Sequence, residues 1–180
     1  MQLSVVIRTK DEADRLRLTL TALACQVVPA AEIVIVDDGS SDHTASVIAE
    51  AAIRLPVRAI HHDHPQGRSA ASNAGARAAR GDVLLFLDGD TLAHPAMVSH
   101  HLKVHDAIDH AIGRGETFHF RSTRFLLDPE TASPRAGEEA RIARLTEQEL
   151  DRLRVTRRQI VEDFAALERR AEPGIYPGAG

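Results

Sequence analysis

Four short apolar runs, Leu3–Ile7, Glu32–Val36, Val57–Ile60 and Val83–Leu87, set the limits on how this chain can fold. β-Branched residues dominate the first three, and none alternates apolar with polar as a half-exposed strand would. Runs of this kind suit strands covered on both faces, as in a parallel sheet. The stretches between them have helical spacing. Glu12–Ala24 places Leu16, Leu20 and Leu23 four and three residues apart. Asp42–Ile53 gathers Val47, Ile48 and Ala52 on one side, with Ser41 or Asp42 as its N-cap. Ser69–Ala79 is alanine-rich and stops at Gly81. The order β-α-β-α-β-α-β predicts right-handed crossovers and an α/β fold built on a doubly wound, mainly parallel sheet.

Beyond the fourth run a helix is expected from Pro95 to His105 and a further strand over Glu116–Ser122. D-P-E-T-A-S-P-R-A-G at 128–137 reads as a loop. The charged segment 138–171 reads as two helices, divided where Thr146-x-x-Glu149 forms a capping box. Leu150, Leu153, Ile160, Phe164 and Leu167 make a narrow stripe near heptad spacing, suited to packing on the sheet or to pairing two copies as a homodimer. The closing P-G-I-Y-P-G-A-G carries no structural signal and is expected to be loose. The predicted division is an α/β domain over 1–127, then a linker, helical extension and tail over 128–180.

With 180 residues, 43% of them hydrophobic and 27% charged, the chain suits one compact domain. A net charge of −4 gives no general attraction to nucleic acid or to an anionic membrane. The single cysteine, Cys25, excludes an internal disulfide and fits a reducing compartment, as a small filler on a helix. Leu3–Ile7 is too short for a signal peptide and is followed by Asp11, Glu12 and Asp14. No apolar run approaches the roughly 18 residues of a membrane helix. A soluble, cytoplasmic chain is therefore expected.

In an open parallel sheet, ligands bind outside the carboxyl ends of the strands. Those ends are Arg8–Glu12, Asp37–Ser41, His61–His64 and Asp88-Gly89-Asp90. Helix capping alone would account for Asp37–Ser41. Asp88 and Asp90 begin no evident helix, and their charges repel across one glycine. An oxygen-only pair of this kind suits Mg²⁺ or Mn²⁺, which binds few protein ligands and completes its shell with water and substrate phosphates. Gly67 and Arg68 add backbone freedom and a fixed positive charge at the start of a helix. The outline is that of a nucleotide-diphosphate site. His61, His62 and His64, and the i, i+4 pair His101 and His105, lack the partners of a zinc motif. They read as solvated or capping residues, with His61–His64 lining the cleft as the alternative.

Four pieces, V-V-I-R-T-K-D-E (5–12), I-V-D-D-G-S-S-D-H-T (35–44), G-R-S-A-A-S-N-A-G-A-R-A-A-R-G-D (67–82) and L-F-L-D-G-D-T (85–91), carry a resemblance. In order and spacing, over about residues 1–105, the chain resembles the nucleotide-binding half of inverting family 2 glycosyltransferases of the GT-A fold. The resemblance implies that Thr9 and Glu12 lie beside the nucleoside. It implies that Asp38 accepts a hydrogen bond from the base, uracil or guanine, and that Arg68 and Asn73 border the nucleotide cleft. Asp88-Gly89-Asp90 matches the D-x-D motif, with Asp88 on the ribose and metal side and Asp90 holding Mn²⁺ or Mg²⁺ against the diphosphate. The implied partners are a UDP- or GDP-sugar donor and an acceptor of unknown identity.

The chain departs from the family pattern at Ser72, where arginine is frequent, and after residue 120, where no acceptor half is recognisable. Glu116, Asp128, Glu138 and Glu139 are unassigned acids, and no catalytic base is identified. A non-catalytic nucleotide-sugar-binding module, or a fragment, is the alternative. A haloacid-dehalogenase-like phosphatase is a remote second: threonine directly follows the second aspartate, and the strand is fourth rather than first. A calcium loop is excluded because the twelfth position from Asp88 is Ser99.

Overall fold

The computed structural model describes residues 1–115, 117–119, 133–134, 137–149, 164–170 and 172–173. It divides into two compact units, Met1–Ala111 and Ile112–Gly180. The first contains β1 (Leu3–Thr9), α1 (Ala13–Ala24), β2 (Glu32–Asp37), α2 (Thr44–Ala52), β3 (Val57–His61), α3 (Arg68–Ala78), β4 (Val83–Asp88) and α4 (Met97–Ala107). The four strands form a parallel sheet in the order β3-β2-β1-β4. The chain steps from β1 outward to β3, then returns to the far edge of β1. Right-handed crossovers running in opposite directions place their helices on opposite faces. Accordingly α1 and α2 pack together, and α3 packs on β1 and β2. The expected doubly wound α/β architecture is what the chain adopts.

Central position explains the unalternating runs of β1 and β2. Val5, Ile7, Ile33 and Ile35 are buried on one face, and Ser4, Val6, Val34 and Val36 on the other. β4 departs from the expectation of cover on both faces. Val83 and Leu87 are buried, but Leu84 and Phe86 are 40% and 50% exposed. The register pairs them with Ser4 and Val6, so they lie on the face that α3 covers over β1 and β2. β4 is an edge strand, and that face is open there.

Helix starts also differ in detail. α2 opens at Thr44 with His43 in the capping position, instead of Ser41 or Asp42. Asp42 still serves that end, because its Oδ1 accepts the Thr44 N–H at 2.9 Å and the Thr44 hydroxyl at 2.6 Å. Its Oδ2 accepts the Ala13 N–H at 3.1 Å, so one carboxylate serves the first turns of two helices. Burial alone would push the Asp42 carboxyl up, but these donors outweigh it and hold the group below its ordinary range. Cys25, expected as a small filler on a helix, is the half-buried C-cap of α1, and its N–H donates to the Ala22 carbonyl.

Among the described residues of the second unit, β5 (Phe118–His119) pairs antiparallel with β6 (Glu172–Pro173), and two short helices occur, α5 (Glu139–Ile142) and α6 (Phe164–Arg170). The capping box closes as expected. Thr146 donates its N–H and its hydroxyl to Glu149 Oε2, both at 2.8 Å, and its Oγ1 accepts the Glu149 N–H at 3.3 Å. Glu116, residues 120–122 of the expected strand, the expected boundary at 127/128, Leu150, Leu153, Ile160 and the tail from residue 174 lie outside the described residues. Among the described residues, no helix is long and apolar enough to cross a membrane.

The close approach of α3 to the sheet yields a test. Alanine normally stabilises a helix interior over glycine by about 1 kcal/mol. A Cβ on Gly75, however, would fall 2.4 Å from Val6 Cγ1 and 3.2 Å from Val36 Cγ2. Gly75→Ala should therefore destabilise the chain by about 1–3 kcal/mol, seen as a lower urea midpoint. An unchanged or higher midpoint would mean that α3 does not lie so close.

Candidate functional site

The strand order reverses at β1, which opens a crevice beyond the ends of β1 and β4 where α/β sheets bind ligands. Parallel register sets Arg8 beside Asp88 and Thr9 beside Asp37, with Asp37 beside His61. The turn after β4 is closed by the Thr91 N–H on the Asp88 carbonyl. It is tied to α1 by the fully buried Thr19, whose hydroxyl donates to the Gly89 carbonyl at 2.9 Å.

Each aspartate of this turn has its own arginine. Arg8 Nη2 lies 2.5 Å from Asp88, and Arg15 Nη1 lies 3.7 Å from Asp90. Glu12 reaches over the glycine between them: a Cβ on Gly89 would meet Glu12 Oε1 at 2.5 Å and Thr9 Oγ1 at 3.2 Å. The Glu12 carboxyl is pushed up, first by burial, then by the charge of Asp90 with a smaller contribution from Asp88; Thr9 and Arg15 oppose this. Thr9 is only 3% exposed, and its hydroxyl makes no hydrogen bond of good geometry, although it lies close enough to Glu12 to favour the charged form. A buried hydroxyl left in this state costs about 1–3 kcal/mol.

Asp38 is handled differently. It is 7% exposed, and its Oδ1 accepts His62 Nδ1 at 2.7 Å and the Gln66 N–H at 2.8 Å. Its Oδ2 accepts the Gly67 N–H at 2.8 Å. Burial would raise this carboxyl, yet Gln66, His62 and Gly67 together hold it below its ordinary range. Gly67, at φ +93°, has a backbone conformation that L side chains rarely adopt, and it delivers the chain into α3.

The neighbouring loop is clasped as well. Asp11, at φ +51°, donates its N–H to Ser40 Oγ at 2.9 Å and accepts the Ser41 N–H at 2.7 Å. Asp37 accepts the Ser40 N–H at 3.0 Å.

Arg68 and Asn73 are both exposed on α3. They are five positions apart, which turns them roughly 140° from one another around the helix. His61 and His64 are exposed, whereas the His62 side chain is 90% buried against Asp38. His101 is half-buried, and burial, with the charges of His105 and His100, lowers its pKa. Among the described residues, no group of three or more His, Cys, Asp or Glu side chains is placed to hold a metal ion.

The family described as Glycosyl transferase family 2 matches residues 4–170. The chain belongs to glycosyltransferase family 2. An uncharacterized glycosyltransferase of Nostoc sp. is 33% identical over 134 residues, covering 65% of this chain and 41% of that protein. The validoxylamine A glucosyltransferase of Streptomyces hygroscopicus subsp. jinggangensis is 40% identical over 106 residues, covering 57% of this chain and 25% of the relative. The chain thus spans less than half the length of these curated relatives. Among solved structures, S. aureus TarS in complex with UDP shares the fold with a TM-score of 0.56 at 19% identity, over 73% of this chain and 46% of that one. A mannosyltransferase from Pyrobaculum calidifontis, in complex with GDP-Man and Mn²⁺, has a TM-score of 0.54 at 26% identity, over 62% and 34%.

The acids of this family 2 chain fit a divalent cation of one kind. Asp88 and Asp90 are exposed carboxylates beside a third acid whose charge they disfavour, and the donors are all oxygen. Such an ion takes its remaining ligands from water and a diphosphate. Arg15 and Thr19 are the site residues that sequence reasoning missed; Arg8 was placed at the strand end without a role, and His62 only within the alternative that His61–His64 line the cleft. Arg8 could have been found from strand parity once the register to β4 was known.

Glu12 provides a pH test. Its carboxyl is raised in the folded chain, so the folded state binds more protons, and stability falls as pH rises from the ordinary glutamate range through the raised value. In EDTA, Glu12→Gln should melt above the wild type at pH 7. The gap should close below the ordinary glutamate pKa of about 4.3. A Glu12→Gln variant that melts lower at pH 7 would show that the carboxylate stabilises its surroundings.

Proposed function

We propose that this chain is the nucleotide-sugar-binding part of an inverting family 2 glycosyltransferase. It would take a UDP- or GDP-sugar together with Mn²⁺ or Mg²⁺ and, with an acceptor site, transfer the sugar to an acceptor hydroxyl. The observation that carries this is the convergence of Thr9, Glu12, Asp38, Asp88 and Asp90 at the end of the sheet where the strand order reverses. In this proposal Thr9 and Glu12 lie beside the nucleoside, Asp38 meets the base, and Arg68 and Asn73 border the cleft. Asp88 faces the ribose and metal, and Asp90 holds the metal. When bound, the cation would neutralise charge on the departing nucleoside diphosphate.

The chain's own residues supply the setting. Backbone N–H groups fix Asp38, Thr19 fixes the turn that carries Asp88 and Asp90, and Arg8 and Arg15 each lie beside one of those carboxylates as a counter-charge. The base that would deprotonate the acceptor is unassigned, and Glu116 and Asp128 lie outside the described residues. A cytoplasmic location accords with the single cysteine. The alternative reading is a module that binds the donor without transferring it.

Calorimetry with UDP, GDP, CDP and ADP, with and without Mn²⁺, tests both. Binding of at least one nucleotide should strengthen with the metal, and Asp90→Ala should remove most of that gain, a tenfold loss corresponding to about 1.4 kcal/mol. Metal-independent binding that survives Asp90→Ala would remove the cation from the site. Tight donor binding without sugar transfer to any acceptor would support the binding module.

A further inference from the structure

Resting on the placement of Asp38 beside the base, we infer that His62 sets the base preference. By occupying Asp38 it leaves the carboxylate one free acceptor position, which matches the single imide N–H of uracil and not the paired donors of guanine.

The accounting is chemical. An ionised carboxylate offers about four lone-pair positions, two on each oxygen. On Asp38, Oδ1 is filled twice, by His62 Nδ1 at 2.7 Å and by the Gln66 N–H at 2.8 Å. Oδ2 is filled once, by the Gly67 N–H at 2.8 Å. One position on Oδ2 remains. Facing a carboxylate acceptor, His62 Nδ1 must carry the proton and act as donor.

Guanine presents N1–H and N2–H side by side, and a carboxylate pairs with both only by offering one position on each oxygen. Here Oδ1 has none left. Uracil presents one N–H on its pairing edge and needs one acceptor. Cytosine and adenine set an acceptor ring nitrogen beside their amino group, which would face the carboxylate's negative charge.

Two of the three occupants are not negotiable. The Gln66 and Gly67 N–H groups belong to the backbone that starts α3, so freeing them would move the helix. His62 is the side-chain occupant, and its 10% exposure packs it firmly against Asp38. It is a positioning residue: it acts on the base through the carboxylate it holds.

The test is the ratio of UDP to GDP affinity on the full chain, by titration calorimetry at fixed Mn²⁺, with circular dichroism to confirm folding. The wild type should bind UDP at least tenfold more tightly than GDP, about the effect of one unmet hydrogen bond. His62→Ala returns a position on Oδ1 and should cut that ratio at least threefold. His62→Gln, whose amide can donate in place of the ring, should keep it. A purely structural role would weaken both nucleotides together and leave the ratio unmoved.

Equal or tighter GDP binding by the wild type overturns the inference while leaving the nucleotide site intact, as does an unchanged ratio in a folded His62→Ala. If neither nucleotide binds, the donor-binding function fails and the inference falls with it. Should His62→Ala not fold, the wild-type ratio and His62→Gln decide.

Discussion

β1 carries a parallel ladder on both edges, and the layout of the site depends on that one constraint. Because β2 and β4 both register on β1, the sheet reverses its order there and must leave a crevice beyond the ends of β1 and β4. The same register decides which side chains share a face. Arg8 and Asp88 are partners across the ladder, and a slip of one residue would send them to opposite sides of the sheet. The interior run of β1 therefore does more than fill a core, since its burial on both faces locks the height at which Thr9, Asp37 and Asp88 emerge.

The chain gathers acids at this edge and stabilises them in two ways. Asp38, Asp42 and Asp11 receive backbone N–H groups delivered by the starts of helices and by turns, and each carboxyl is held below its ordinary range. Those donors are part of the fold and cannot leave without unwinding something. Asp88 and Asp90 instead face arginine side chains at a partly exposed surface. Glu12 belongs to neither group; burial and its neighbours' charge push it up. Backbone donors thus hold Asp38, the carboxylate proposed to meet the base, with His62 beside them, whereas side chains alone face the two proposed to hold a cation.

Much of the first unit was legible because local and global signals agree there. The unalternating runs of β1 and β2 belong to strands flanked on both sides, and the order of strands and helices implied the double winding. Thr146-x-x-Glu149 was legible because a capping box is a local device that needs no tertiary information. β4 misled because V-L-L-F-L reads like a central strand, and whether Leu84 and Phe86 are covered depends on elements far away in sequence. The repulsion between Asp88 and Asp90 was readable, but its answer lay elsewhere. Arg8 lies beside Asp88 through register, and Arg15 approaches Asp90 across the same α1–turn contact that Thr19 makes with the Gly89 carbonyl. His62 was harder to single out: three histidines fall within four residues at the end of β3, and nothing local says which one turns inward to Asp38.

The arginine pairs bear on how a cation could enter. Partly exposed ion pairs are each worth about 0–1 kcal/mol, since long side chains lose entropy and water screens the charge. Displacing Arg8 from Asp88 and Arg15 from Asp90 therefore costs little beside the attraction of a doubly charged ion and a diphosphate for these carboxylates. Had backbone N–H groups held the two aspartates as they hold Asp38, opening them would require distorting the turn. Had nothing held them, their mutual repulsion and that of Glu12 would go unanswered whenever no cation was bound. Weak, mobile counter-charges avoid both outcomes, and the released guanidiniums remain within reach of an incoming phosphate, where arginine's planar fork is well suited.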